Sequence, residues 1–155
     1  MRLAPDSSFI STHCNLLVIC CLVALVLSSD QTGAAQTSSF DLRVVLNVPK
    51  GSDAEVRVAL FDSKDNFLRK STRALIAAPH DGTAEVVFKD LRPGEYAVAA
   101  YQDLDGNHKL NRSFIGIPSE PNGMSNGAKG RFGPAKWENA KFSLSAQQAI
   151  VVKLE

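Results

Sequence analysis

The sequence predicts an all-β protein, an antiparallel sandwich of about seven strands that follows a removable leader. Apolar residues recur at every second position in most segments after Phe40, and Gly, Pro and Asp-rich turns separate these segments at short intervals. No segment shows sustained helical periodicity. Because successive side chains of a strand point to opposite faces of a sheet, a period of two is typical of half-buried strands.

The first thirty-five residues, 1–35, are predicted to be a signal peptide. Residues 16–27 form an unbroken apolar run, which suits a signal-peptide core and is shorter than the roughly 20 residues that a membrane-spanning helix needs. Gly33 and Ala35 are the small residues that a signal peptidase recognises just before its cut. We therefore expect a secreted or periplasmic protein with no transmembrane anchor after leader cleavage.

Residues 36–155 fit a single domain, because about 100 to 150 residues is the commonest domain size. The chain carries 17 basic and 16 acidic residues, and this balance argues against a nucleic-acid partner. All the cysteines fall inside or beside the leader: Cys14, Cys20 and Cys21. The exported domain has no disulfide or thiolate site, so its stability rests on an apolar core, alone or with a hard metal ion.

Six strands are predicted in order along the chain from alternating apolar residues. They contain Leu42, Val44 and Leu46; Val56, Val58 and Leu60; Ala84, Val86 and Phe88; Tyr96, Val98 and Ala100; Ala140, Phe142 and Leu144; and Ile150, Val152 and Leu154. The pair Pro93 and Gly94 presets a tight turn between the third and fourth strands. A seventh strand is predicted around 67–77, although 63–75 could instead form one helical turn.

A long loop rich in Gly, Pro and Asn, residues 103–136, interrupts this strand pattern. Its one candidate strand is a brief segment, SFIGI, at 113–117. A loop of this length is uncommon in a compact domain and is usually functional or mobile. The sequence therefore places the candidate sites within this loop.

Residues 88–144 resemble a secreted bacterial family known as domain of unknown function 2141. The matching residues are Leu91, Pro93, Gly94, Tyr96, Ala97, Val98, Asp103, Asn107, Gly116, Ile117, Pro118, Glu120, Ser125, Asn126, Phe132, Gly133 and Pro134. The likeness extends over essentially the whole exported chain, and the hairpin part also looks like prealbumin-like, carboxypeptidase-regulatory sandwiches. The resemblance implies an immunoglobulin-like or prealbumin-like sandwich in an exported protein, and it brings no assigned activity.

The start of the long loop has oxygen-bearing groups at the spacing of a calcium loop. Asp103, Asp105 and Asn107 occupy alternate positions, the Lys109 backbone carbonyl continues the register, and Asn111 ends it. Calcium takes six to eight oxygen ligands, which alternate residues of a tight loop can supply. The sequence therefore makes these five residues candidate ligands for Ca²⁺.

Three features limit this calcium interpretation. Phe114 stands where an EF-hand has its bidentate glutamate. Family members typically carry a glycine and a later acid where this chain has His108 and Asn111. With few charges in the loop, and Glu120 as a further candidate ligand, any affinity should fall in the ~0.1 to 1 mM range of extracellular modules. The competing interpretation is a solvated turn capped by Asp and Asn side chains.

A second candidate site lies near the end of the loop, where Arg131 and Trp137 stand among lysines. An exposed aromatic ring beside cations could stack on a sugar or hold an anionic glycan. The alternative is that Trp137 plugs one end of the sandwich. No nucleophile motif, HExxH or phosphate loop is present, so no catalytic residue is assigned.

Together these features predict a non-enzymatic binding or structural module of the periplasm or cell surface, with a weak calcium loop. Its partner would be a glycan or an envelope protein. The alternative function is a carbohydrate-binding module that uses the long loop, and a third is a hydrolase that uses loop carboxylates.

Overall fold

A computed structural model of the protein describes residues 38–130 and 133–155. The predicted leader, 1–35, lies outside the described residues. Within them the chain forms eight strands and almost no helix, packed as two sheets, so the predicted all-β sandwich is confirmed. No helix in these two ranges is long and apolar enough to cross a membrane.

The strands are numbered in chain order. They are β1 (Phe40–Asn47), β2 (Val56–Phe61), β3 (Arg73–Ala77), β4 (Thr83–Leu91), β5 (Gly94–Gln102), β6 (Asn122–Met124), β7 (Phe142–Leu144) and β8 (Gln148–Lys153). A 3-10 turn at Ser125–Gly127 follows β6, and one helical turn, α1 (Trp137–Ala140), precedes β7.

Two sheets make up the sandwich. The first has the strand order β4-β1-β8, and the second has the order β3-β2-β5-β6, with β7 paired to the start of β5. All neighbouring strands are antiparallel except β1 and β8, which run parallel. The prediction of a purely antiparallel sandwich therefore misses one parallel pair.

The core between the sheets follows the alternation seen in the sequence. Every second residue of β1 and β2 points inward and is almost completely buried: Leu42, Val44, Leu46, Val56, Val58 and Leu60. Phe88 from β4, Val98 from β5 and Val152 from β8 complete this layer. Fully burying a side chain of this size stabilises the fold by about 1.5 to 3 kcal/mol, so the alternating residues account for the pairing of the sheets.

The predicted seventh strand and the helical turn that competed with it are both present, in succession. Lys70 N–H donates to Asn66 O at 2.9 Å in a helix-like turn, and β3 follows as an edge strand. In the predicted fifth strand, Ala140 instead ends α1, where it is fully buried and its carbonyl accepts a hydrogen bond from Ser125 Oγ. Only Phe142–Leu144 pairs as β7.

Within the long loop, the strand is not where the sequence suggested. SFIGI, 113–117, forms a turn, closed by a 2.8 Å hydrogen bond from Gly116 N–H to Ser113 O. The short strand β6 forms instead at Asn122–Met124. Its Asn-Gly-Met sequence has no apolar alternation, so pairing with β5 rather than local propensity defines it.

A second apolar cluster covers part of the outer face of the five-stranded sheet. Phe67 packs edge-on against Phe61 and Trp137, with ring centroids 5.4 and 5.7 Å apart. Ala97 and Ala140 complete the buried cluster. Further along the same face, Ala59, Ala99, Met124 and Ala128 are partly buried against this cluster.

Strand β6 joins the second sheet to the end of β8. Asn122 and Glu155 exchange two backbone hydrogen bonds, of 3.1 and 3.0 Å. Between them, Gly123 lies so close to Lys153 that an added β-carbon would overlap the Lys153 carbonyl oxygen. The glycine therefore permits the close approach of the two backbones.

We expect Gly123→Ala to lower the free energy of unfolding by about 1 to 3 kcal/mol, since overpacking a tight contact costs about that much. Gly94→Ala is the matched control, because a β-carbon there would meet the Tyr96 ring at an ordinary 3.6 Å. Urea unfolding followed by circular dichroism measures both variants. Equal stability of the two would contradict the close approach of β6 and β8.

Candidate functional site

Asp103 is a buried carboxylate directly after β5. Its side chain is only 1% exposed, and its backbone N–H donates to Glu55 O at 2.8 Å. The carboxylate accepts hydrogen bonds from Arg57 Nε at 3.0 Å, from His108 N–H at 2.9 Å and from Asn107 N–H at 3.1 Å. A buried charge needs this compensation, so Asp103 fixes the first turn of the loop to β2.

Glu120 is a second buried acid, and it holds the far end of the same loop. Its Oε1 accepts from Leu104 N–H and its Oε2 from Asn111 N–H, each at 2.9 Å. Ser119 N–H also donates to Asn111 O at 2.9 Å. Together, Asp103 and Glu120 form what we call the carboxylate clip, which binds residues 103–120 into a closed loop.

Exposed side chains complete this polar network. Asp105 Oδ2 accepts from the side-chain amides of Asn107 and Asn111, each at 2.8 Å. Asn107 also donates to Asn111 Oδ1, and its own Oδ1 accepts from Lys109 N–H at 2.8 Å. The hydrogen bond from Asn111 holds the pKa of the Asp105 carboxyl below its usual value, with further lowering by Asn107.

The structure brings the candidate metal ligands together. One oxygen each from Asp103, Asp105 and Glu120 lie within 4.8 Å of one another, and this acidic triad could hold an ion. An all-oxygen donor set suits calcium. However, Arg57 already compensates Asp103, and Lys109 enters the network through its N–H rather than its carbonyl. The loop thus has features of both interpretations of the sequence. Its acidic triad could hold an ion, and its turn is capped by its own side chains.

His108 occupies the position where the family typically has glycine. Its φ is +66°, in the left-handed region that favours glycine and that costs most other residues roughly 1 to 2 kcal/mol. The ring compensates by a contact with Arg57, in which Nδ1 accepts from Nη2. Arg57 is thereby held between Asp103 and His108.

The second candidate site is not assembled as a surface for sugar. Trp137 is 6% exposed and belongs to the second apolar cluster, so its ring is buried on the outer face of the five-stranded sheet. Arg131 lies outside the described residues. The aromatic ring on which the carbohydrate hypothesis rested is therefore not available for stacking.

A groove that the sequence analysis did not identify lies on the outer face of the five-stranded sheet. Ala74, Ala59 and Ala99 are direct cross-strand neighbours on β3, β2 and β5, and Met124 on β6 is the next in line. Three interstrand steps of about 4.8 Å make this row about 14 Å long. We call it the alanine trough. It forms the floor of a groove of about 1050 Å³.

Taller side chains border the trough on both sides. Phe61 of the second apolar cluster lies along one side, and the row that contains Ile76, Arg57 and Tyr101 lies along the other. Since alanine is shorter than these four residues, the sheet surface is concave at the trough. Small outward-facing residues on β2, β3 and β5 were the sequence signal for it.

The closed loop forms a wall of this groove. Leu110, Ile115 and Ile117 line it, and the two isoleucines are 65% and 57% exposed. The turn that carries them is closed by a 2.7 Å hydrogen bond from Ser113 N–H to Ile117 O. Because the carboxylate clip holds both ends of the loop, it also positions this apolar wall.

The groove is lined by more cations than anions. The charged residues in its lining are Arg57, Arg112, Lys129, Lys153 and Glu155. Hydrogen bonds from Lys129 and Lys153 lower the pKa of the Glu155 carboxyl to about 2. Arg112 donates from Nη1 to Gly116 O at 3.1 Å, and no carboxylate in the described part of the chain lies within 4.0 Å of its guanidinium.

A family model described as "Uncharacterized protein conserved in bacteria (DUF2141)" matches residues 44–152. This range runs from within β1 to within β8 and includes the closed loop and the alanine trough. It confirms the resemblance noted in the sequence. No curated protein and no solved structure matches the chain significantly.

We expect Asp103→Ala to lower the free energy of unfolding by about 3 kcal/mol, because it leaves Arg57 and two loop amides without their buried acceptor. Asp105→Ala, at an exposed position in the same network, should have a much smaller effect. Urea denaturation of both variants against wild type measures the difference. A loss for Asp103→Ala no larger than that for Asp105→Ala would contradict the role of the clip.

Proposed function

This chain belongs to the bacterial family of domain of unknown function 2141, and we propose that it is an exported, non-enzymatic binding module whose groove holds a small, elongated apolar molecule. The observation that carries the proposal is the alanine trough with its apolar walls. Ligand pockets are typically about 300 to 1,000 Å³ and mostly apolar, and this groove, at about 1050 Å³, is of that size. The leader-like sequence of 1–35 supports export to the periplasm or cell surface.

The shape of the trough favours an elongated ligand. Its floor is a row of small or flexible apolar side chains, Ala74, Ala59, Ala99 and Met124, about 14 Å long. Burial of apolar ligand surface there stabilises the complex by about 25 cal/mol per Å². The floor residues Ala59, Ala74 and Ala99 have no side-chain group that could hydrogen-bond to a polar ligand, so a bare sugar would lose hydrogen bonds to water without replacing them.

The state of the loop carboxylates supports binding rather than hydrolysis. A hydrolase would need at least one of them free to transfer a proton or attack a substrate. Asp103 and Glu120 are buried and each accepts backbone hydrogen bonds on both oxygens. Asp105 is exposed, and both of its oxygens accept hydrogen bonds from Asn107 or Asn111. These contacts suit a structural role in the groove wall.

A calcium ion at the acidic triad is a second candidate role for the same loop. The specific observation in its favour is the approach of the Asp103, Asp105 and Glu120 oxygens to within 4.8 Å. Bound calcium would tie the same ends of the loop as the carboxylate clip and would rigidify the groove wall. The Arg57 guanidinium beside Asp103 opposes a second cation, so we expect affinity in the ~0.1 to 1 mM range.

The neutral fluorescent probe N-phenylnaphthylamine should bind the groove of the purified protein and brighten. Ala59→Phe fills the trough and should weaken binding about tenfold or more, which is about 1.4 kcal/mol. Ala74→Phe, on the exposed edge strand, tests the same point if the first variant folds poorly. Val151→Phe, an exposed position on the other sheet, is the matched control. Undiminished binding by folded Ala59→Phe and Ala74→Phe would overturn the proposed site.

For calcium, we expect a concentration about ten times the dissociation constant to stabilise the protein by about 1.4 kcal/mol. The change should appear as a higher melting temperature and as a shift in Trp137 fluorescence. Asp105→Asn removes one exposed ligand charge but leaves the carboxylate clip in place, and it should reduce the shift. If millimolar calcium leaves the wild-type melt unchanged, the metal role is excluded.

A further inference from the structure

We propose that the ligand of the groove is a single-chain amphiphile with an anionic head group, whose alkyl chain lies along the alanine trough and whose head is bound by Arg112. This inference rests on the proposed function and adds the chemical class of the ligand. It depends on two independent features of the groove, its apolar floor and its uncompensated charge.

The floor suits an alkyl chain. Ala74, Ala59 and Ala99 present only methyl groups, and Met124 ends the row with a flexible thioether, which adapts to chains of different shape. The Tyr101 hydroxyl borders the floor, and burial raises its pKa, so it remains neutral. The floor is a single row of side chains across the strands, which gives one alkyl chain a continuous line of apolar contacts.

The charge of the lining favours an anion. The chain as a whole is nearly balanced, with 17 basic and 16 acidic residues, whereas the described residues that line the groove include four cations and one carboxylate, Glu155. Opposite charges attract, so an excess of positive charge in the lining favours an anionic head group. A cationic or neutral head would gain nothing from this excess.

Among the four cations, Arg112 is the one that the ligand can best use. Arg57 is held by Asp103 and lies 3.5 Å from Glu55. Lys129 and Lys153 are both engaged by Glu155. Arg112 gives one N–H to Gly116 O, and a guanidinium has five N–H donors in a planar fork, which matches a carboxylate in a bidentate pair.

The position of Arg112 on the loop also connects the head to the wall. Arg112 and Pro118 pair at the base of the turn that carries Ile115 and Ile117. A head group bound by Arg112 would therefore sit beside the apolar wall that covers the chain. The carboxylate clip, through Asn111 and Glu120, fixes the residue next to Arg112.

The test compares three ligands of equal chain length, each below its micelle concentration: dodecanoate, dodecanol and dodecyltrimethylammonium. Isothermal titration of the purified protein should show the tightest binding for dodecanoate. Arg112→Gln should weaken the binding of dodecanoate about tenfold, or about 1.4 kcal/mol, and leave the binding of dodecanol unchanged. Arg112→Lys keeps the charge but loses the planar fork of donors, so its affinity for dodecanoate should lie between those of wild type and Arg112→Gln. Arg92→Gln, an exposed cation outside the groove, is the matched control.

Each other outcome has a distinct meaning. If dodecanol binds as tightly as dodecanoate and Arg112→Gln changes neither affinity, the proposed preference for an anionic head group is wrong. The groove remains the proposed binding site in that case. If none of the three ligands nor the neutral naphthylamine probe binds, the proposed function itself fails. If phosphatidylglycerol vesicles bind the protein and monomeric dodecanoate does not, the inference is overturned in favour of a membrane surface.

Discussion

The burial of one carboxylate, that of Asp103, is the constraint on which the site depends. Taking an unpaired carboxylate out of water would cost several kcal/mol, so the fold must supply a cation and donors at that point. It supplies Arg57 from the neighbouring strand and the amides of Asn107 and His108 from the loop itself. Once these donors point inward, the loop must turn back on itself at the end of β5.

The same requirement shapes the groove. Arg57 faces the outer surface of β2, two residues before Ala59 on the same face, so the cation that stabilises Asp103 also borders the trough. Glu120 then fixes the return of the loop, which places Ile115 and Ile117 over the sheet. Polar contacts behind the loop thus hold an apolar wall in front of it, and the fold needs no disulfide there.

The sequence predicted the sandwich well and the site only in part. Strands β1 and β2 show an alternation of apolar and polar residues that is local in the sequence and reflects burial of one face. This alternation alone was enough to predict them. Within the carboxylate clip, Asp103 is paired with Arg57, which lies 46 residues earlier in the sequence. The spacing of residues within one loop cannot reveal such a contact. Glu120 was a further candidate ligand that would join the site only if the loop folded back, and the structure places it near Asp103. The trough was not predicted, because single alanines on separate strands form no recognisable sequence pattern. Only the register of the strands shows that they are neighbours.

A ligand on the outer face of the five-stranded sheet would lie against the methyl groups of the alanine trough, and methyl NMR tests this placement most directly. A titration with dodecanoate of protein labelled at alanine and valine methyls should shift the outward methyls of Ala59, Ala74 and Ala99. The inward methyls of Val58 and Val98, one residue away on the same strands, should remain nearly unchanged. Shifts that are larger at the two valines than at the three alanines would place the ligand between the sheets and contradict the account.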